Sequence, residues 1–234
     1  MCQRSVECLD IHIRAFSHVT FAVYIIILIS ANEEGRFKDE MAPIEMKSKK
    51  GVKVIDTDEH PRETSMEALA KLPPVFQKDG LVSAGNASGI CDGAGAVILA
   101  SEEAVTKHNL TPLARLVSYH VSGCDPTIMG IGPVPAVRRA LEKAGLQLAD
   151  MDLCEVNEAF AAQVLSVQRE LGLDMEKTNT NGGAVALGHP VGASGSRITA
   201  HLTHELRRTG GKYAVGSACI GGGQGIAVIL ENTK

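Results

Sequence analysis

Residues 152–172 read DLCEVNEAFAAQVLSVQRELG, and this stretch decides the fold class. Asp152–Val156 is short, apolar at its centre and β-branched at its end, as a buried strand should be. After it, Phe160, Val164 and Leu171 recur at helical spacing, and Gly172 stops the pattern. Asn157, at the junction, is expected to cap the helix or to hold a ligand. Glu158 reads as a group that orients its neighbours. A strand that feeds a helix through a polar turn is the unit of an α/β domain.

The same alternation extends outward. Leu113–Val121 is expected as a strand. Pro133 and Pro135 open a helix whose Val137, Ala140, Leu141 and Ala144 share a face, and Gly145 ends it. Ile198, Leu202 and Leu206 mark another helix. Tyr213–Ala218 and Ile226–Leu230 are expected as two strands around a glycine run, with Cys219 in a hairpin-like turn. Upstream, Ala96–Ala100 reads as a buried strand, and Ser101 as the cap of a helix with Glu102 and Glu103 in its first turn.

Residues 32–80 are more polar. A short strand pair is expected around Ile44–Met46 and Val52–Ile55, with Lys47, Lys49, Lys50 and Lys53 as a solvated hairpin. Glu67–Leu72 reads as a short helix stopped by Pro73-Pro74. Val19–Ile29 is an apolar run too short to span a bilayer, which takes about 20 residues. Glu7 and Asp10 argue against a signal peptide or a mitochondrial presequence there. The favoured expectation is a buried β-branched strand, or a segment joined to the chain by an alternative start.

Composition narrows the class. The chain has 234 residues, 44% hydrophobic and 3% aromatic with no Trp, so its core rests on Ala, Val, Ile and Leu. The 24 glycines suit tight strand–helix turns. A formal net charge of −4 without a basic stripe argues against nucleic-acid binding. The six cysteines form no Cys-x-x-Cys pair, so free thiols in a reducing compartment are expected, with no metal site.

Three glycine-associated motifs carry the chemistry. They are Asn157-Glu158-Ala159-Phe160, then residues 182–190 (GGAVALGHP), then residues 219–225 (CIGGGQG). His189 lies in a glycine-lined turn, where a neutral imidazole can take a proton from a thiol or donate to a carbonyl oxygen. Cys219 precedes Gly221–Gly223, whose N–H groups can form an oxyanion hole and favour a thiolate. Ser88, in a second tight turn, is a candidate contact to a ligand amide. Cys91 is read as a decoy, because no His or glycine nest follows it.

In that order and context these motifs resemble the thiolase family, over residues 31–234. The resemblance implies a layered α/β fold with one complete C-terminal half, residues 108–234. It also implies remnants of a loop domain (31–82) and of the first half (83–107), leaving residues 1–30 unrelated. It implies thiolytic cleavage of 3-ketoacyl-CoA to acetyl-CoA and a shortened acyl-CoA, as in the mitochondrial matrix, with coenzyme A as co-substrate and no permanently bound cofactor.

The resemblance also implies roles. His189 would activate a nucleophilic thiol and share one oxyanion hole with a water held by Asn157. Cys219 would be the acid/base for CoA and the α-carbon, and the backbone near Gly221 would serve the second oxyanion hole. Arg62, Thr64 and Ser88 match positions that touch coenzyme A. The family's nucleophilic Cys lies in a Cys-x-Ser-Gly setting, which none of the six cysteines has. The chain alone is therefore expected not to cleave 3-ketoacyl-CoA. Two other readings stay open: a non-catalytic module that binds CoA or thiolase subunits, and an unstable product whose strand at 96–100 has lost its neighbours.

Overall fold

The structure, a computed structural model, describes residues 25–234. Residues 25–33 are helical (α1) and are followed by a hairpin of β1 (Ile44–Ser48) and β2 (Gly51–Ile55) and by the short α2 (Met66–Ala70). The remainder comprises α3 (Glu102–Lys107), β3 (Ala114–Gly123), α4 (Pro133–Ala144), β4 (Leu153–Val156), α5 (Ala161–Leu171), α6 (Ala184–Leu187), α7 (Ser194–Thr209), β5 (Tyr213–Ile220) and β6 (Gln224–Asn232). A 3-10 segment, Pro126–Ile131, joins β3 to α4.

Strands β3, β6, β5 and β4 form one sheet in that order, antiparallel except for the β4–β5 pair. Each strand sends alternate side chains to opposite faces. Cys154, Val215 and Ile229 meet Val137, Leu141, Val164 and Val167 from α4 and α5. Their neighbours Leu153, Ala214 and Leu230 meet Ile198, Leu202 and Leu206 of α7. The result is three layers, helix–sheet–helix, with two apolar cores separated by the sheet. Gly145 and Gly210 end α4 and α7 in the left-handed conformation at φ 65° and 74°.

Four expectations are corrected. Residues 25–29 of the Val19–Ile29 run are helical, not a strand, and residues 19–24 lie outside the described residues. Ile25, Leu28 and Ala31 share one helix face and pack with Ala186 of α6, so tertiary packing overrides β-branched preference. Ala96–Ala100 is neither paired nor buried: Ile98 is 94% exposed and Leu99 75%, and no described strand lies beside them. Asn157 does not cap α5, which begins after Phe160 with no side-chain cap. Cys219 lies inside β5, opposite Gly225, one pair before the Ile220–Gln224 pair that closes the hairpin.

The β1–β2 hairpin and α2 follow the sequence reading, as does the Ser101 cap, whose Oγ accepts from the Ala104 N–H at 3.2 Å.

Candidate active site

The parallel pair β4–β5 positions the site. Val156 pairs with Ser217, and the N–H of Asn157 donates to Ser217 O at 2.8 Å. Asn157 and Cys219 therefore emerge at the same carboxyl end of the sheet, the usual location of α/β ligand sites. His189 arrives from the turn between α6 and α7, where Gly188 adopts φ 96°. The Asn157 Nδ2 lies 3.3 Å from His189 Nε2, and His189 Nδ1 lies 2.6 Å from Ser194 Oγ. Ser194 Oγ donates in turn to Pro190 O at 3.1 Å. This network assigns the proton to Nδ1 and leaves the Nε2 lone pair at the Asn157 end.

Burial, with the nearby charge of Arg197, holds the His189 pKa below the ordinary histidine range. The imidazole is neutral at physiological pH, as a base in a cleft must be. Asn157 is almost fully buried, and its Oδ1 has no protein partner. Such a buried acceptor without a protein partner is rare in native structures.

Burial also raises the Cys219 thiol, as does nearby Cys124, and together they outweigh a backbone hydrogen bond that lowers it. The expectation that the glycine turn favours a thiolate is therefore corrected: desolvation wins and the resting group is a thiol. Gly222 and Gly223 adopt φ 84° and 86° in the turn after Cys219. A Cβ on Gly221 would meet nothing within 4 Å, so that backbone is open to a ligand.

Residues upstream of α3 clasp both site loops. The His189 N–H donates to Gly89 O at 2.7 Å, and the Ser88 N–H donates to Ala159 O at 3.1 Å. Ser88 Oγ also donates to Ala159 O at 2.9 Å, so its hydroxyl is engaged within the protein. Cys91 touches the same turn, because a Cβ on Gly188 would come 2.6 Å from its sulfur. Burial raises the Cys91 pKa, so this thiol is protonated and a weak nucleophile.

A cavity of ≈310 Å³ beside these loops is lined by His60, Arg62, Phe76, Ser88 and Val185 among others. It offers one cation, one hydroxyl and an apolar wall, a set that fits a phosphorylated, partly apolar ligand. Thr64 is exposed and is not among its lining residues. The structure thus joins Asn157 with His189 and Arg62 with Ser88, and sets Thr64 apart.

Sequence reasoning missed Ser194, Asn179 and Cys124. Asn179 had a faint signal, the polar run Thr178–Asn181 before Gly182-Gly183. Ser194 had none, because its role depends on the turn that folds it back under His189.

Residues 110–232 match the model of the thiolase C-terminal domain, and residues 28–103 that of the thiolase N-terminal domain. The chain belongs to the thiolase family. It is 72% identical over 205 residues to the mitochondrial 3-ketoacyl-CoA thiolase of Homo sapiens, covering 87% of this chain and 52% of that protein. It is 55% identical over 203 residues to the acetyl-CoA acetyltransferase of Syntrophomonas wolfei, covering 86% of this chain and 51% of that one.

The crystal structure of human mitochondrial 3-ketoacyl-CoA thiolase matches with a TM-score of 0.92 at 67% identity, over 94% of this chain and 56% of that one. A structure of the human enzyme in complex with CoA matches at 0.90 and 66% identity, over 94% and 55%. The thiolase-like α/β fold is thus established, and the chain spans about half the length of the curated relatives it matches.

Among the described residues, no helix is long and apolar enough to cross a membrane, and no group of three His, Cys, Asp or Glu side chains could hold a metal.

Proposed function

We propose that this chain carries the proton-handling half of a thiolase that cleaves 3-ketoacyl-CoA with coenzyme A. The observation that carries the reading is the Asn157–His189–Ser194 array, with a neutral imidazole whose Nε2 presents its lone pair to Asn157, at the same sheet end as a protonated Cys219. In the cleavage direction a nucleophilic thiolate attacks C3 of the substrate and the C2–C3 bond breaks. The C2 carbanion takes the proton of Cys219, giving acetyl-CoA. The Cys219 thiolate then takes the proton of the incoming CoA thiol, whose sulfur displaces the acyl group. A thiol kept protonated at rest suits the first of these transfers.

His189 and Asn157 supply the base and hydrogen-bond donors for one developing oxyanion, and the backbone at Gly221 those for the other. Arg62 and Ser88 line the cavity assigned to coenzyme A, whereas Thr64 is exposed and outside that lining. Residues 108–234 form the C-terminal half, 83–107 the end of the first half and 31–82 part of a loop domain. Relatives named as mitochondrial support a mitochondrial site of action, and partnership with other thiolase subunits belongs to the same reading.

No described cysteine has the setting of the family's nucleophile, and losing a nucleophile costs on the order of 10⁶ in rate in a protease series. The purified chain should therefore show no CoA-dependent cleavage of acetoacetyl-CoA. At alkaline pH, where Cys219 ionises, it should still exchange the methyl protons of acetyl-CoA for deuterium in D₂O, because enolisation needs the Cys219 thiolate as base and not the nucleophile. Cys219→Ala should abolish that exchange. Absence of exchange in the unmodified chain sinks the proton-handling role. Cleavage that depends on Cys219 sinks the missing-nucleophile reading. A non-catalytic CoA-binding module is the second reading, favoured by the cavity around Arg62. It predicts saturable CoA binding with no exchange.

A further inference from the structure

Glu158 is fully buried, yet it takes no part in the proton transfers above. Both of its oxygens are engaged. Asn179 Nδ2 donates to Oε1 at 2.6 Å, and the Val185 N–H donates to Oε2 at 3.1 Å. Asn179 in turn brackets Val156. It accepts from the Val156 N–H at 2.9 Å and donates through Nδ2 to Val156 O at 3.1 Å. The N–H of Asn179 itself donates to Cys154 O at 2.9 Å. Asn179 holds φ 50°, a left-handed conformation that Asn adopts more readily than most residues.

These bonds join the two segments that deliver the site. Asn157 follows Val156 directly, and His189 lies two residues past α6, whose first turn contains Val185. The carboxylate fits because residue 183 has no side chain: a Cβ there would collide with the Glu158 carboxyl group. The second motif, residues 182–190, is thus partly explained by packing against a buried acid rather than by approach to a ligand.

We propose that Glu158 is a positioning residue whose carboxylate ties the end of β4 to the first turn of α6 and so sets the Asn157–His189 contact. Its catalytic meaning rests on the function proposed above, whereas the coupling itself does not. The charged groups facing Glu158 are Glu155 of β4 and Arg197 of α7. Burial lifts the Glu158 pKa to about 7, against the hydrogen bonds from Asn179 and Val185. Above that pH a carboxylate accepts from both donors with full charge. Below it the bonds lose their charge assistance and the tie loosens.

The test follows the His189 ring and the Val185 amide by NMR on the full chain. In the unmodified protein the His189 ring resonances should show two inflections with pH, their own and one near 7 from Glu158. Glu158→Gln should remove the inflection near 7 and speed exchange of the Val185 amide at least about tenfold, since an amide cannot accept from both donors. Gly183→Ala displaces the carboxylate without removing its charge and should accelerate the same amide.

If Glu158→Gln does not fold, the titration of the unmodified chain and Gly183→Ala still decide. A single inflection at His189, or a Val185 amide indifferent to both substitutions, overturns the proposal. A purely structural role would lower the urea midpoint and leave the His189 titration unchanged. Failure of CoA binding or of deuterium exchange, with the two inflections present, would count against the thiolase function and leave the tie standing.

Discussion

At the residue scale, Cys219 shows how two opposed effects settle a side chain's state. A glycine turn offers backbone donors that favour a thiolate, while burial and Cys124 favour the thiol. Because burial prevails, carbamidomethylation of Cys219 should be slow at pH 8 and should rise only through a midpoint above that of an unhindered thiol. A midpoint near 8 would show that the turn controls the thiol after all. Gly223 makes a second residue-scale prediction. Its φ of 86° disfavours any side chain, and an added Cβ would lie 2.5 Å from Cys124 O and 2.9 Å from Pro126 N. Gly223→Ala should destabilise the chain by about 2–4 kcal/mol in urea titrations. Cys154 illustrates the opposite fate of a thiol: buried in the core, it is pushed up to about 12 and is chemically inert.

At the element scale, α7 is joined to the segment after α1 by a buried ion pair. His201 Nδ1 lies 2.9 Å from Glu40 Oε1, and the side chains of both are largely buried. Asn181 Nδ2 approaches His201 Nε2 at 3.3 Å, while Arg36 donates to Asn181 Oδ1 at 2.8 Å. Burial pulls the His201 pKa down, but the hydrogen bond to Glu40 and the charges of Glu155 and Glu40 overcome it, so the net shift is upward. A histidine raised in the folded state stabilises most below its unfolded value. That contribution is lost as pH rises through the folded value. The stability difference between the unmodified chain and Glu40→Gln should therefore be full at pH 6 and shrink above pH 7. Urea midpoints measured across that range check it, and a gap that grows with pH would reverse the assignment. Beside the pair, Ile25, Leu28, Ala31 and Phe37 form an apolar cluster with Ala186.

At the scale of the whole molecule, the described residues combine a three-layer unit with an unpartnered apolar stretch. Ile90, Val97, Ile98 and Leu99 are exposed, and so are Leu116, Tyr119 and Val121 on the edge strand β3. Unpaired backbone beside exposed apolar side chains promotes association. The chain should self-associate at micromolar concentration in sedimentation experiments, and Ile98→Lys should shift it toward monomer. A monodisperse monomer at that concentration would show that the stretch is tolerated.

What the amino-acid order determined alone was local: the α4, α5 and α7 faces, their glycine stops, the hairpins and the three motifs. Helical spacing and left-handed glycines act within a few residues, so they are legible without a fold. Only the tertiary structure decided that residues 25–29 are helical, that residues 96–100 lie unpaired, and that Asn157 faces His189 rather than capping α5. It also placed Ser194 beneath the imidazole and Asn179 between Val156 and Glu158. Those outcomes depend on groups between 5 and 32 positions apart in the chain, or far more for α1, and no local pattern encodes which of them desolvate one another.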